Sequence, residues 1–382
     1  MTHLRRLYAG RDPARAVSIA DLRAMAMRRL PGFVSEYLEG GAEDERTLAA
    51  NRASFANARF APRVLAGAPP APGTTLFGRA LAMPLVVAPT GFNGLFWHQG
   101  DVALARAAAQ AGVPFAQSTV SNATIEQVAQ AGGERWFQLY AFRDRGASAA
   151  LLDRAREAGA RVLVITVDAQ LYGKREWNTR LYRGENALRP RAMLDVALHP
   201  RWLAQVWARG LPGFANLYPF LPQGQTGLLP SARWVREAID PALDWSVVAW
   251  ARALWPGPLV IKGLAHPDDA ARALAEGADG IVLSNHGGRQ LDGAVPALDM
   301  VRPVRDRVGN GLSVLVDGGV RRGVDLAVAC ALGADAVLAG RAVLYGLAAA
   351  GQAGAARALA ILAGEYGLAT GLIAGGPLWP RV

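Results

Sequence analysis

Residues 280–293 read GIVLSNHGGRQLDG. The first four are uniformly apolar, the composition of a strand buried on both faces, so alternation is not expected of them. The remaining ten carry more than a turn requires. Two glycines allow positive φ or close backbone approach, but His286 can trade a proton near neutral pH and Arg289 can grip a carboxylate through two parallel hydrogen bonds. A buried strand that ends in such groups predicts a site at its C-terminal end.

Seven further runs repeat the pattern: PLVVAPT (84–90), FAQST (115–119), WFQLY (136–140), VLVITVD (162–168), LVIKG (259–263), SVLVDGG (313–319) and AVLAGR (336–341). The segments between them have helical composition, as in DDAARALAEGA. Eight strand and helix units predict an α/β fold of the (β/α)₈ TIM-barrel type; a doubly wound sheet is the alternative, but no Gly-rich dinucleotide fingerprint comes after the first strand.

In such a barrel, chemistry collects at the C-terminal strand ends. Thr90, Ser118, Gln138 with Tyr140, Thr166 with Asp168, Lys262, Ser284 with His286, Asp317 with Gly318 and Gly319, and Gly340 with Arg341 all fall at or just past one. The last two units carry DGGVRRG and AGRA, which suits the phosphate site commonly built after barrel strands seven and eight. Backbone N–H groups of Gly318, Gly319 and Gly340 would approach a phosphate, with Arg321 and Arg341 supplying charge. No metal site is expected.

Composition bounds the rest. The chain has 382 residues, 52% hydrophobic and 19% charged, enough for a large core. It reads as one domain. Its single cysteine, Cys330, lies in an apolar stretch and rules out an internal disulfide framework. The N-terminus lacks a signal-like apolar segment, so a cytoplasmic location is expected. The net charge of +10 would suit nucleic acid, anionic lipid or acidic small molecules. The arginines are scattered without a reading module, and no nucleic-acid partner is expected.

One spacing is anomalous: about 90 residues separate the fourth and fifth strands, far more than a helical crossover needs. Residues 177–230 hold six arginines but only two acids, Glu185 and Asp195, and crowd Trp202, Trp207, Phe214, Leu217, Tyr218, Phe220 and Leu221 together. That mixture fits an interfacial membrane segment; a lid or a subunit contact fits equally. Ahead of the barrel at 84–350, residues 1–80 read as a helical cap that includes LPGFVSEYLEGGAEDERTLAANRASF, a helix, a Gly-rich break and a helix.

SNHGGRQLDG, YLEGGAEDE, APTG, FQLY, TVDAQLYGKRE, IKG, DGGVRRG and LAGRA together resemble the FMN-dependent α-hydroxy acid dehydrogenase and oxidase family, over nearly the whole chain. The similarity is greatest to the membrane-associated mandelate and lactate dehydrogenases, which share a long strand-four loop with an HPRW-like stretch, here His199 to Trp202. The resemblance implies FMN as cofactor, oxidation of a 2-hydroxy acid to the 2-oxo acid, a quinone or other carrier as acceptor, peripheral contact with the inner face of the cytoplasmic membrane, and a homo-oligomer, commonly a tetramer.

It also implies roles. His286 is the base that takes a proton from the substrate, and Asp168 orients it. Arg289 and Arg175 clamp the substrate carboxylate, helped by the hydroxyls of Tyr37 and Tyr140. Lys262 sits beside the pyrimidine side of the flavin. Thr90, Ser118, Gln138, Thr166 and Ser284 bond the ring or ribityl chain. Asp317, Gly318, Gly319, Arg321, Gly340 and Arg341 hold the ribityl chain and phosphate.

Three positions bear on substrate and acceptor. Val120 stands where the short-chain glycolate oxidases carry tryptophan, which leaves room for an aryl or branched substrate. Gly91 stands where many oxidases carry alanine, which favours a dehydrogenase. Tyr172, in DAQLYGKRE, replaces the usual Pro-Arg-Leu pattern and is a candidate pocket residue. The competing readings are a soluble oxidase that reduces oxygen to peroxide and a non-oxidising FMN- or phosphate-binding barrel.

Overall fold

All eight apolar runs form strands, and the strands close on one another. The computed structural model describes residues 6–67, 73–183, 187–211 and 213–379. Two short strands come first, β1 (Thr74–Leu76) and β2 (Arg79–Leu81). After them come β3 (Leu85–Val87), β4 (Phe115–Ser118), β5 (Arg135–Leu139), β6 (Val162–Thr166), β7 (Leu259–Leu264), β8 (Gly280–Leu283), β9 (Ser313–Val316) and β10 (Ala336–Ala339). β3 to β10 make a closed parallel barrel in chain order, with β10 returning to β3 through the pairs Val337–Leu85 and Ala339–Val87. Closure excludes the doubly wound sheet.

Side-chain alternation explains why the runs are apolar throughout. Val86, Trp136, Val164, Val260, Val282, Leu315 and Leu338 belong to one cluster, the barrel interior. Their neighbours Leu85, Phe137, Leu163, Ile261, Ile281, Val314 and Val337 belong to another, shared with the surrounding helices. Both faces of every strand are covered, so neither set can be polar.

The β1–β2 hairpin was not among the elements expected from the sequence. Its two-residue turn places Phe77 at φ 48° and Gly78 at φ 73°, the left-handed pair that matches the twist of a tight hairpin. Leu76 and Leu81 join the interior cluster, and Phe77 packs against Trp136 with ring centroids 5.8 Å apart. Its strands, three residues each, are too short for alternation to reveal them.

The helices Ile19–Arg29, Gly32–Glu39 and Arg46–Asn57 precede the hairpin. The third is pinned over the β8 loop: Asn51 and Asn285 exchange two side-chain hydrogen bonds of 2.9 Å, and Asp292 accepts from the Thr47 N–H at 2.8 Å.

Between β6 and β7 lie the helices Pro190–Ala197, Pro200–Gln205, Leu228–Ala238 and Ser246–Leu254, with 3₁₀ turns among them. Here the aromatic crowd divides: Trp207 and Tyr218 are exposed, while others turn inward. Trp202, Phe214 and Leu217 are fully buried; the Trp202 indole donates to the Leu95 carbonyl at 2.7 Å, and its ring meets Phe33 edge-on. Composition announces aromatics but not which way they face. Met193, Leu194, Leu198 and Trp207 are exposed, as are Trp177, Tyr218, Leu229 and Leu254. Glu185 lies outside the described residues.

The stretch Arg341–Ile373 is long and apolar enough to cross a membrane by length and composition, but it breaks at Ala350–Gly351, and its first half is packed into the barrel's outer core. Cys330 is only partly buried, although burial still pushes its thiol up to about 12.

Candidate active site

The loop after β8 is built around backbone that side chains rarely adopt. His286, Gly287 and Gly288 sit at φ 56°, 66° and 78°, three left-handed residues in succession. Glycine relieves two of them; at His286 the conformation is strained and persists because its surroundings hold it. The Ser284 hydroxyl accepts from the His286 N–H at 2.9 Å, and the Gly288 carbonyl accepts from the Ala42 N–H at 2.9 Å. A Cβ on Gly288 would lie 2.7 Å from the Leu48 backbone, so no larger residue fits beneath the helix Arg46–Asn57.

This turn aims His286 at the end of β6. Its Nδ1 lies 3.0 Å from Asp168 Oδ1, while the rest of the ring lines a cavity of about 870 Å³ at the C-terminal mouth of the barrel. Gly263 (φ 113°) makes the room: a Cβ there would fall 2.7 Å from Asp168. Burial pushes the Asp168 carboxyl up, but the His286 imidazole and the Lys262 ammonium together hold it below the ordinary carboxylate range. Gln290, within the opening motif but not singled out from sequence, donates to the Asp168 carbonyl at 2.5 Å and to Leu171 at 2.7 Å.

Lys262 is buried at the end of β7 and paired, 2.9 Å from Asp317 Oδ2 and 3.1 Å from the Ser284 hydroxyl. Burial alone would lower its pKa, yet Asp317 and Asp168 raise it, so the ammonium is a fixed charge in the cavity wall. Gln138 accepts from the Ser118 hydroxyl at 2.9 Å, which leaves its amide Nε2 buried without a partner. Asp317 Oδ1 is likewise unpartnered.

Four arginines converge from different elements. Arg289 donates to the carbonyls of Tyr37 (2.9 Å) and Gly40 (2.7 Å) and lies over the Tyr37 ring. Burial, then the neighbouring Arg175 and Arg341, push its pKa well down. Arg341 bonds the carbonyls of Leu38, Gly287 and Gly40, and burial with Arg321 nearby lowers it to about 10. Arg321 bonds the Val320 carbonyl and stacks on Tyr345. Arg175 keeps a buried Nε without a partner. Positive charge crowded in this way favours an anionic ligand.

Most residues singled out from the sequence line this one cavity: Tyr37, Thr90, Gly91, Val120, Gln138, Tyr140, Thr166, Tyr172, Arg175, Lys262, His286, Arg289, Asp317, Gly318, Gly319, Arg321, Gly340 and Arg341. Asp168, Ser118 and Ser284 stand behind the wall instead, each bonded to a residue that lines it. Burial pushes the Tyr140 phenol upward, and Tyr172 is half exposed at the rim. The sequence reading missed Phe92, which lines the wall with Phe214 at a ring distance of 4.7 Å. Phe92 also touches Tyr37 at 5.1 Å, so the aromatic wall adjoins the Arg289 guanidinium that lies over Tyr37.

A model of the FMN-dependent dehydrogenase family matches residues 26–374. The chain belongs to that family. As an FMN-dependent dehydrogenase it is 43% identical over 355 residues to an L-lactate dehydrogenase of Pectobacterium atrosepticum, with 91% of each chain covered. It is 44% identical over 359 residues to an L-lactate dehydrogenase of Caulobacter vibrioides, with 93% of each covered. Among solved structures it is similar to the monotopic membrane protein (S)-mandelate dehydrogenase, with TM-score 0.89, 39% identity, and 94% of this chain and 96% of that one covered. It is also similar to a mandelate oxidase, with TM-score 0.78, 38% identity, and 94% and 95% covered.

The protein is an FMN-dependent oxidoreductase of 2-hydroxy acids. Its cavity fits that cofactor on its own evidence. Gln138 Nε2 is a donor and Asp317 Oδ1 an acceptor, both buried and unmatched, as a ring with a polar edge requires. A phosphate suits the other end, where Gly318 and Gly319 have positive φ, the helix Arg341–Ile373 begins, and Arg321 and Arg341 gather. A Cβ on Gly319 would meet the Asn51 carbonyl at 2.5 Å, so only glycine lets the backbone pass there.

Proposed function

We propose that this dehydrogenase oxidises 2-hydroxy acids with aryl or similarly bulky side chains and delivers the electrons to a lipophilic carrier in a membrane. The substrate reading rests on one observation, the apolar wall of Gly91, Phe92, Val120 and Phe214 beside the Tyr37–Arg289 contact. An aromatic ring against that wall gains edge-on contacts while its carboxylate meets the guanidinium.

FMN, when bound, supplies the two-electron acceptor. The protein's residues do the rest. His286 takes the proton from the substrate through Nε2, since Nδ1 is engaged by Asp168. Asp168 fixes the tautomer and stabilises the imidazolium that forms. Arg289 and Arg175 bind the substrate carboxylate, and Tyr37 and Tyr140 hold its oxygen atoms. Lys262, Gln138, Thr90 and Thr166 face the flavin ring and ribityl chain; Asp317, Gly318, Gly319, Arg321, Gly340 and Arg341 hold the ribityl chain and phosphate. Ser118 and Ser284 orient Gln138 and Lys262 from behind.

The membrane reading is supported by the similarity to a monotopic mandelate dehydrogenase and by exposed Met193, Leu194, Leu198 and Trp207, interleaved with exposed Arg191, Arg201 and Arg209. Apolar side chains flanked by arginine suit the boundary of an anionic bilayer. The similarity to a mandelate oxidase favours a second reading, transfer to oxygen.

Anaerobic mixing of the holoenzyme with lactate, glycolate, mandelate and long-chain 2-hydroxy acids, followed by air or by quinone-loaded anionic vesicles, tests both parts. Bleaching fastest with mandelate and recovery driven by the vesicles support the proposal. Fast recovery in air with peroxide makes it an oxidase, and preference for glycolate removes the aryl assignment.

A further inference from the structure

One buried carboxylate outside the cavity organises three of the loops that form it. Asp101 lies in the first turn of the helix Gly100–Gln110 and is sealed from solvent. Its Oδ1 accepts from Asn93 Nδ2 at 2.7 Å, and its Oδ2 accepts from the Asn122 N–H at 3.0 Å. Asn93 Nδ2 also donates to the Thr90 carbonyl at 3.0 Å, and its Oδ1 accepts from the Thr90 hydroxyl at 2.9 Å. Asn122 in turn accepts from the Gly94 N–H and donates to the Gly213 carbonyl. The residues so tied are next in the chain to Gly91, Phe92 and Phe214 and two positions from Val120, the apolar wall itself.

The direction of these bonds is set by the carboxylate. An ionised carboxylate only accepts, so Asn93 must turn its NH₂ toward Asp101 and its oxygen toward Thr90. Thr90 then spends its proton on Asn93. What it offers the cavity is a lone pair, suited to an N–H of the ligand rather than to a carbonyl.

We propose that Asp101 is a positioning residue: through Asn93 it sets Thr90 as a hydrogen-bond acceptor toward the flavin, and through Asn122 it fixes the wall that selects the substrate side chain. This rests on the reading of the cavity as the flavin and hydroxy-acid site. The groups facing the carboxylate are Asn93, Ser121, Asn122 and the Ala123 backbone, all neutral. Burial raises its pKa to about 6, so the charge is kept at a cost to folding.

Asp101→Asn tests the inference on the holoenzyme. An amide offers one acceptor where two donors converge, so either the Asn122 arm is lost or Asn93 flips and frees the Thr90 proton toward the cavity. The expected result is a shift of the visible flavin bands and of the midpoint potential, with kcat/KM for mandelate relative to lactate down about tenfold, mainly through KM. Thr90→Val should move the same bands, and adding Asp101→Asn to it should move them little further.

Unchanged bands, potential and substrate ratio in folded Asp101→Asn would overturn the proposal. If Asp101→Asn does not fold, Thr90→Val decides: bands that stay at the wild-type position overturn it. The spectrum and potential need no turnover, so a wild-type protein that no hydroxy acid bleaches would refute the functional reading separately.

Discussion

A Cβ added to Gly91 would lie 2.6 Å from Val120 Cγ2. In the sequence these positions are two separate clues, one to the acceptor and one to pocket size. In the fold they are one wall, contributed by the loops after β3 and β4. Gly91→Ala must therefore turn or displace Val120 within the cavity. We expect it to raise KM for an aryl hydroxy acid more than for lactate, and Val120→Ala in the same chain to recover most of the loss. The coupling should fall at about 0.5–3 kcal/mol, the range for residues in contact. Strictly additive effects in the double-mutant cycle would mean that the wall is not shared.

This pair illustrates what the sequence could and could not disclose. The eight strands were legible because burial on both faces demands apolar runs, and most residues of the cavity wall because they punctuate those runs at one end. Gly91, Val120, His286 and Asp168 were each visible as letters. Their contacts were not, because contact depends on loops that meet only after closure. Trp202 and Phe214 show the limit most clearly: an aromatic beside arginines reads as surface, yet both are interior. Phe92 and Gln290 went unread because neither residue type announces a role by itself, although each adjoins one that does.

Arg289→Lys keeps one positive charge but loses the planar fork, and with it one of the bonds to Tyr37 and Gly40 as well as the bidentate grip on a carboxylate. KM should rise about tenfold to a hundredfold, corresponding to one or two charge-assisted bonds. Steady-state kinetics with a dye acceptor measures this directly. An unchanged KM would remove Arg289 from the clamp.

Two carboxylates give pH dependences of opposite sign. The Asp101 pKa in the fold is raised from 3.8 to about 6, so the unfolded chain releases this proton first and stability declines as pH rises through that interval, with the loss complete above it. Asp168 is held below 3.8, so its contribution is present above that value and is lost as pH falls through its folded pKa. Thermal unfolding of the holoenzyme across this range should show Asp101→Asn flattening the decline between about pH 4 and 6. A slope identical to wild type would mean that Asp101 does not titrate there.

Leu194 and Leu198 are exposed on the helix Pro190–Ala197 and its C-terminal cap. Replacing both with glutamate should move the protein from anionic vesicles to the supernatant in a flotation assay while leaving bound flavin and the bleaching rate unchanged, since neither residue reaches the cavity. Retention on vesicles would reassign the patch to a contact between subunits.

His286 is the base on which the proposed chemistry turns. Anaerobic stopped-flow mixing of wild-type and His286→Ala holoenzymes with the best 2-hydroxy acid measures its contribution without involving the acceptor. His286→Ala should retain its flavin yet bleach about 10²- to 10⁴-fold more slowly, the range supplied by a general base. Bleaching within a few-fold of wild type would contradict that role and leave the proton transfer to another group in the cavity.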